Sequence, residues 1–208
     1  MRIKEFKLER LFARYKSMAK YMLSQSACEG FSMQEILDMA DPECKKLWDN
    51  LSLGYTRPEG FLPLREAISR RYTSIRPSDI LELAPEEGIF IFMNNMLEAG
   101  DEVIVMHPTL PSLYELPRAL GCKVIKWPLD ETSWGWRLNV DFLSENISPR
   151  TKLLVLNIPN NPTGYIPVRT ELDRILNIAD RNGTWVFNEE TYRGMEHDPA
   201  AALPSLAD

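Results

Sequence analysis

Apolar residues follow two different rhythms along the chain. Over residues 5–23, Phe6, Leu8, Leu11, Phe12, Tyr15, Met18, Ala19 and Met22 recur at helical spacing, which predicts an amphipathic opening helix. Ser32 followed by Glu35 in "SMQE" is a capping box, and it predicts a second helix running to about Met39. The stretch "LGYTRPEGFLPLREAISRRY" reads as a loop punctuated by Gly and Pro, then a helix from about Leu62 with Leu64, Ala67 and Ile68 inward. From residue 79 the rhythm changes. Short β-rich runs at 79–84, 102–106, 122–128, 152–158 and 184–189 alternate with helical stretches near 86–98, 111–120, 138–146 and 168–182. Alternation of this kind predicts βαβ units around a largely parallel sheet, an α/β fold.

Composition narrows the picture. Of 208 residues, 44% are hydrophobic and 26% charged, which suits a packed core rather than a disordered chain. A formal net charge of -6 argues against nucleic acid or an anionic membrane as the main partner. Cys28, Cys44 and Cys122 are scattered without a CxxC pair, and there are only 2 histidines, a usage that points to a reducing compartment and away from structural zinc. The N-terminus is basic but has no uninterrupted apolar run, so neither a signal peptide nor a membrane span is expected. Glu5 and Glu9 argue against a transit peptide, leaving the cytoplasm as the expected location.

In an α/β sheet, ligands bind where strands end and loops lead into helices, so the loops after Leu83, Met106, Ile158 and Phe187 carry the chemistry. In the first, Pro85 suits the opening turn of a helix, and Glu86 and Glu87 complement its positive end. Free N–H groups there suit a phosphate; the two acids oppose it. In the second, "HPTLPSLYE", His107 is expected to be a satisfied structural histidine. The third is "NIPNNPTG", residues 157–164, with amides at the end of a buried strand. Such amides can hydrogen-bond a ligand's hydroxyl or carbonyl without adding charge. Pro159 and Pro162 restrict the backbone on either side of Asn161, so its side chain is aimed at low entropic cost. Asn-Pro turns are also common for purely local reasons. In the fourth, "FNEETYRGMEHD", paired carboxylates and a phenol suit acid–base chemistry, or equally a solvated face.

Together, "NIPNNPTG" and, about thirty residues on, a strand into "EETYRG" resemble the class I/II aminotransferases, fold-type I enzymes that use pyridoxal 5′-phosphate. "GYTRPEGFLPLREAI" and "PEEGIFIFMNNMLEAGDEVIVMHPTLPSLYE" resemble further segments of that family, in the same order. The resemblance implies a three-layer αβα large domain over residues 51–208, incomplete, preceded by an N-terminal helical arm and part of a small domain over 1–50. It implies that Asn161 and Tyr192 hydrogen-bond the cofactor's phenolic oxygen, and that Glu189 faces the pyridine nitrogen. The turn at Pro85, Glu86 and Glu87 would present N–H groups to the phosphate, Leu110 would lie against the ring, and Tyr55 would reach the phosphate of the neighbouring subunit of a homodimer. The implied substrates are an amino acid and a 2-oxo acid.

Departures from the family pattern qualify these expectations. Glu189 stands where aspartate is usual, Leu110 where an aromatic residue stacks on the ring, and two acids sit at the phosphate turn. No lysine follows Lys152, so the family's Schiff-base lysine has no counterpart here. The expectation is therefore a truncated aminotransferase, inactive alone, with no catalytic residue to name and with pyridoxal 5′-phosphate bound weakly or not at all. The alternative is a catalytically dead module that binds cofactor or amino acid, or dimerises. An α/β hydrolase or nucleotide-binding domain is disfavoured, because neither GxSxG nor a Gly-rich phosphate loop is present.

Overall fold

The computed structural model describes residues 2–208. Its centre is a sheet built from β1 (Glu102–His107), β2 (Lys123–Thr132), β3 (Gly135–Leu138), β4 (Thr151–Asn157) and β5 (Trp185–Glu189). The strand order is β3-β2-β1-β4-β5. β1 lies parallel to β2 and β4, and β4 parallel to β5, while β3 returns antiparallel along β2.

Parity along the strands explains the layers. Side chains alternate faces with period two, and here both faces are buried. Val103, Val105, Leu153 and Val155 point to one side, where they pack with Ile89 and Met93 of α5 (Pro85–Met96) and Leu113 and Leu116 of α6 (Ser112–Leu120). Ile104, Met106, Leu154 and Leu156 point to the other, against Leu143 of α7 (Val140–Asn146) and Leu172 and Ile175 of α8 (Arg169–Arg181). Two helical layers thus cover one sheet, which is why β1 and β4 read as continuous apolar runs. Trp127 is fully buried in the second cluster, its indole N–H donating to the carbonyl of Asn139 (2.8 Å).

The remaining helices are α1 (Lys7–Tyr15), α2 (Met33–Met39), α3 (Pro42–Asp49) and α4 (Leu62–Ser69). The capping box at α2 forms as expected: Ser32 Oγ accepts from the N–H of Glu35 (3.3 Å), and the Glu35 carboxylate accepts from the N–H of Ser32 (2.7 Å).

Four expectations are corrected. The run 79–84 does not join the sheet: Pro77–Asp79 form a 3-10 turn, and Glu82 bonds instead to the 59–61 turn. Its N–H donates to the carbonyl of Glu59 (3.2 Å) and its carboxylate accepts from the N–H of Phe61 (3.0 Å). That contact also explains Gly60, which sits at φ 99°, where a Cβ would come within 2.5 Å of Glu82. The opening helix spans only Lys7–Tyr15 and buries no residue, so its apolar stripe lacks the packing that sustains helices in proteins. In α4, Leu64 and Ala67 are exposed and Arg65 is buried, its guanidinium donating to the carbonyl of Pro77 (3.0 Å). The strand β3 and the helix α3 are additions, although Asp41 before Pro42 was a legible helix start.

Candidate functional site

The C-terminal ends of β1, β4 and β5 meet at one residue, Asn157. It is the last residue of β4, fully buried, and the register partner of Glu189 at the end of β5. Paired residues on adjacent strands project to the same face. Here that is the face of Val155 and of α5 and α6.

Asn157 uses both ends of its amide. Oδ1 accepts from the N–H of Asn161 (2.8 Å), the hydroxyl of Thr109 (3.3 Å) and Nδ2 of Asn160 (3.4 Å). Nδ2 donates to the Glu189 carboxylate, to the Glu189 carbonyl (3.2 Å) and to the Pro159 carbonyl (3.4 Å). The orientation of the amide follows from these partners, since one end faces a backbone N–H and the other faces only oxygens.

Around this hub the third loop is held rigidly. Asn160 is buried; its Nδ2 donates to the carbonyl of Pro108 (3.1 Å), and its Oδ1 accepts from the hydroxyl (2.6 Å) and N–H (3.2 Å) of Thr163. The Asn161 side chain makes no hydrogen bond among the described residues. It faces a cleft of about 550 Å³ that is also lined by Ser26, Tyr192, Met195 and His197, a volume in the range of small-molecule sites. The Tyr192 hydroxyl donates to the carbonyl of Ser26 (2.7 Å), which ties the N-terminal segment to the loop after β5.

The two adjacent glutamates part company. The Glu189 carboxylate accepts from Asn157 Nδ2 and from both the N–H (2.8 Å) and the hydroxyl of Thr191. Glu190 turns to the other face, where its carboxylate accepts from the Ser205 hydroxyl (2.9 Å), the Leu206 N–H (3.1 Å) and Asn188 Nδ2 (3.0 Å).

Of the remaining expected residues, Leu110 packs against the α5–α6 cluster beside Phe187. Pro85, Glu86 and Glu87 form the exposed first turn of α5, and the Glu86 carboxylate accepts from the hydroxyl of buried Ser112 (3.2 Å), the first residue of α6. None of these four lines the cleft. Tyr55 is fully exposed. His107 departs from expectation. Its Nε2 lies 3.3 Å from Lys126 Nζ and its ring stands edge-on to Tyr114, but its Nδ1 is buried without a partner among the described residues. Burial and the Lys126 charge both push its pKa down. Asn157 itself was missed as a site residue. Its signal, an amide in the last position of an apolar strand, was present but was ascribed to Asn161.

Among the described residues no cluster of acids, histidines and cysteines could hold a metal ion, and no helix is long and apolar enough to cross a membrane.

The model of the family "aminotransferase class I and II" matches residues 23–208. Aspartate aminotransferase of Pyrococcus horikoshii is 27% identical over 98% of this chain and 53% of its own length. That of Sulfolobus acidocaldarius is 32% identical over 72% of this chain and 39% of its own. The crystal structure of a PLP-dependent aminotransferase from Streptococcus suis superposes on all of this chain with a TM-score of 0.89 at 27% identity, and the match covers 55% of that protein. The chain thus spans about half the length of the proteins it matches, or less. Sheet order, helical layers, the Asn-Pro-Thr-Gly loop and these matches agree, and the chain belongs to the class I and II aminotransferases, with the fold-type I architecture.

Proposed function

We infer that this chain forms the cofactor-holding part of a pyridoxal-phosphate-dependent aminotransferase, which moves an amino group between an amino acid and a 2-oxo acid. The observation that carries this reading is the unpartnered Asn161 amide, aimed into a cleft beside Tyr192 by a loop whose other amides are all engaged. Buried or half-buried amides in proteins are normally bonded, so a free one on a rigid loop suits a ligand oxygen.

The chemistry of the donor set fits the cofactor, although Glu189, Leu110 and the α5 turn lie outside the lining of the Asn161 cleft. Asn161 would hold the phenolic oxygen; the Tyr192 hydroxyl, whose one proton goes to the Ser26 carbonyl (2.7 Å), would be a second donor only on leaving that partner; and the Glu189 carboxylate would hold a proton on the pyridine nitrogen. Leu110 offers an apolar surface for the ring. The first-turn N–H groups of α5 suit the phosphate, and the Glu86 and Glu87 charges weaken that end of the site. The cofactor, when bound, supplies an electron sink for bonds to the substrate's α-carbon. The protein's part is to orient the ring and to keep the pyridine nitrogen charged.

Lys152, the last lysine, is exposed near the start of β4, at the opposite end of that strand from Asn157. No lysine lines this cleft among the described residues. Residues 1–50 serve as the arm and part of a small domain, and 51–208 as part of the large domain. The full exposure of Tyr55 suits a residue that reaches a neighbouring subunit of a homodimer. Three free cysteines suit the cytoplasm.

Calorimetric titration with pyridoxamine 5′-phosphate, which needs no lysine, tests the reading. Saturable binding that weakens roughly tenfold or more in Asn161→Ala, the scale of one hydrogen bond to a charged group, is expected. Absence of saturable binding, or binding indifferent to Asn161→Ala, overturns it.

A further inference from the structure

We propose that Asn157 is a positioning residue that sets the mutual geometry of Asn161 and Glu189, the two groups assigned above to opposite edges of the cofactor ring; the proposal rests on that assignment. A cofactor ring is planar and rigid, so a donor at one edge and a carboxylate at the other act together only if their separation is fixed. Asn161 and Glu189 belong to different loops, after β4 and after β5. Among the described residues the only side chain bonded to both is Asn157: its Oδ1 accepts from the Asn161 N–H (2.8 Å), and its Nδ2 donates to the Glu189 carboxylate.

Several features separate this from an ordinary buried amide. Asn157 has no exposed surface, so its bonds are not diluted by water. It is in register with Glu189 across the β4–β5 ladder, so its reach is set by the sheet rather than by a mobile loop. Its third partner is Thr109, one residue from Leu110, so the same amide also anchors the loop that supplies the apolar face. Glutamate in place of the family's aspartate deepens the need: the extra methylene adds a rotatable bond, and two clamps remove that freedom. One is Asn157; the other is Thr191, through its N–H (2.8 Å) and its hydroxyl.

The two ends of the amide can be tested separately. Asn157→Asp keeps oxygen acceptors for the Asn161 N–H and replaces the amide donor to Glu189 with a second carboxyl group, leaving the Thr191 donors in place. Asn157→Leu removes both ends of the amide. Amide hydrogen exchange on the unliganded chain reads the Asn161 end. The exchange of the Asn161 N–H should accelerate about tenfold or more in Asn157→Leu and hold in Asn157→Asp, with the core amide of Ile104 as the control for global unfolding. The ¹⁵N signal of ring-labelled pyridoxamine 5′-phosphate reads the Glu189 end. Bound to the wild-type chain it should report a protonated ring to higher pH than in free solution, an effect lost in Glu189→Gln and in Asn157→Leu alike.

A merely structural Asn157 would lower stability without moving the ring-nitrogen titration, and that result in Asn157→Leu overturns the proposal. So does an Asn161 amide indifferent to Asn157→Leu. If the wild-type and Glu189→Gln chains give the same ring titration, the cofactor assignment of Glu189 falls first. The exchange experiment then shows whether the amide still holds Asn161.

Discussion

Glu102 is a buried carboxylate far from the cleft, and removing its charge gives a prediction with a definite pH dependence. It lies at the start of β1, 3% exposed, and accepts from Lys123 Nζ (2.7 Å), from the hydroxyl of buried Thr151 (2.8 Å) and from the hydroxyl of Ser148 (3.1 Å). One side chain thus clamps the first residues of β1, β2 and β4. In Glu102→Gln the amide oxygen can still serve Thr151 and Ser148, but the amide nitrogen faces the Lys123 ammonium. The Lys123 bond is lost, and being 64% exposed on the lysine side it contributes little, up to about 1 kcal/mol. The two hydroxyl bonds weaken from charged to neutral, roughly another 1 kcal/mol. The expected loss at pH 7 is therefore about 1–2 kcal/mol. Burial alone would raise the carboxyl pKa; the Lys123, Thr151 and Ser148 bonds outweigh it and hold the pKa below the usual glutamate value. A depressed folded pKa contributes stability above the unfolded value of about 4.3, and this is lost as pH falls through the folded pKa. The gap between wild type and Glu102→Gln should thus be full at pH 7 and shrink progressively below about pH 5. Urea midpoints of both chains at pH 7, 5 and 3 measure it. No gap at pH 7, or a gap that persists undiminished at pH 3, refutes the reasoning.

Asn161→Ala should leave the thermal midpoint unchanged, within about ±0.5 kcal/mol, because its side chain bonds nothing within the chain; a large loss of stability would mean that the amide has an internal partner. Glu190→Gln should free the C-terminal segment, weakening the Ser205 and Leu206 bonds by about 1–2 kcal/mol, and faster hydrogen exchange of the Leu206 amide than in Glu189→Gln would show it. Borohydride reduction in the presence of pyridoxal 5′-phosphate should label no single lysine stoichiometrically; peptide mapping that finds one unique pyridoxyl-lysine contradicts the absence of a Schiff-base amine from the site.

Much of the fold was legible because its causes are local. Alternation of β-rich runs with helical ones requires a sheet covered on both sides, and four of the five expected strands and all four helices between residues 85 and 181 follow that pattern. Capping boxes and prolines mark helix starts through bonds within a single turn, so Ser32 with Glu35 was readable. Asn161 stood out because two prolines flank a short amide-rich loop. Residues 79–84 were misread because β propensity says only that a segment suits a ladder, and the backbone of Glu82 is engaged by the Gly60 turn.

What only the tertiary structure decided is which neighbours each side chain meets. Glu189 and Glu190 are chemically identical and adjacent in sequence, yet the parity of β5 sends one to Asn157 and Thr191 and the other to Ser205 and Leu206. Asn157 and Glu189 are separated by a helix and two loops, and only the β4–β5 register brings them into contact. Thr109 reaches the same amide from a third strand end. A sequence specifies residue types and their periods. The partners of a buried amide are set by strand order and register, which depend on the packing of the whole sheet.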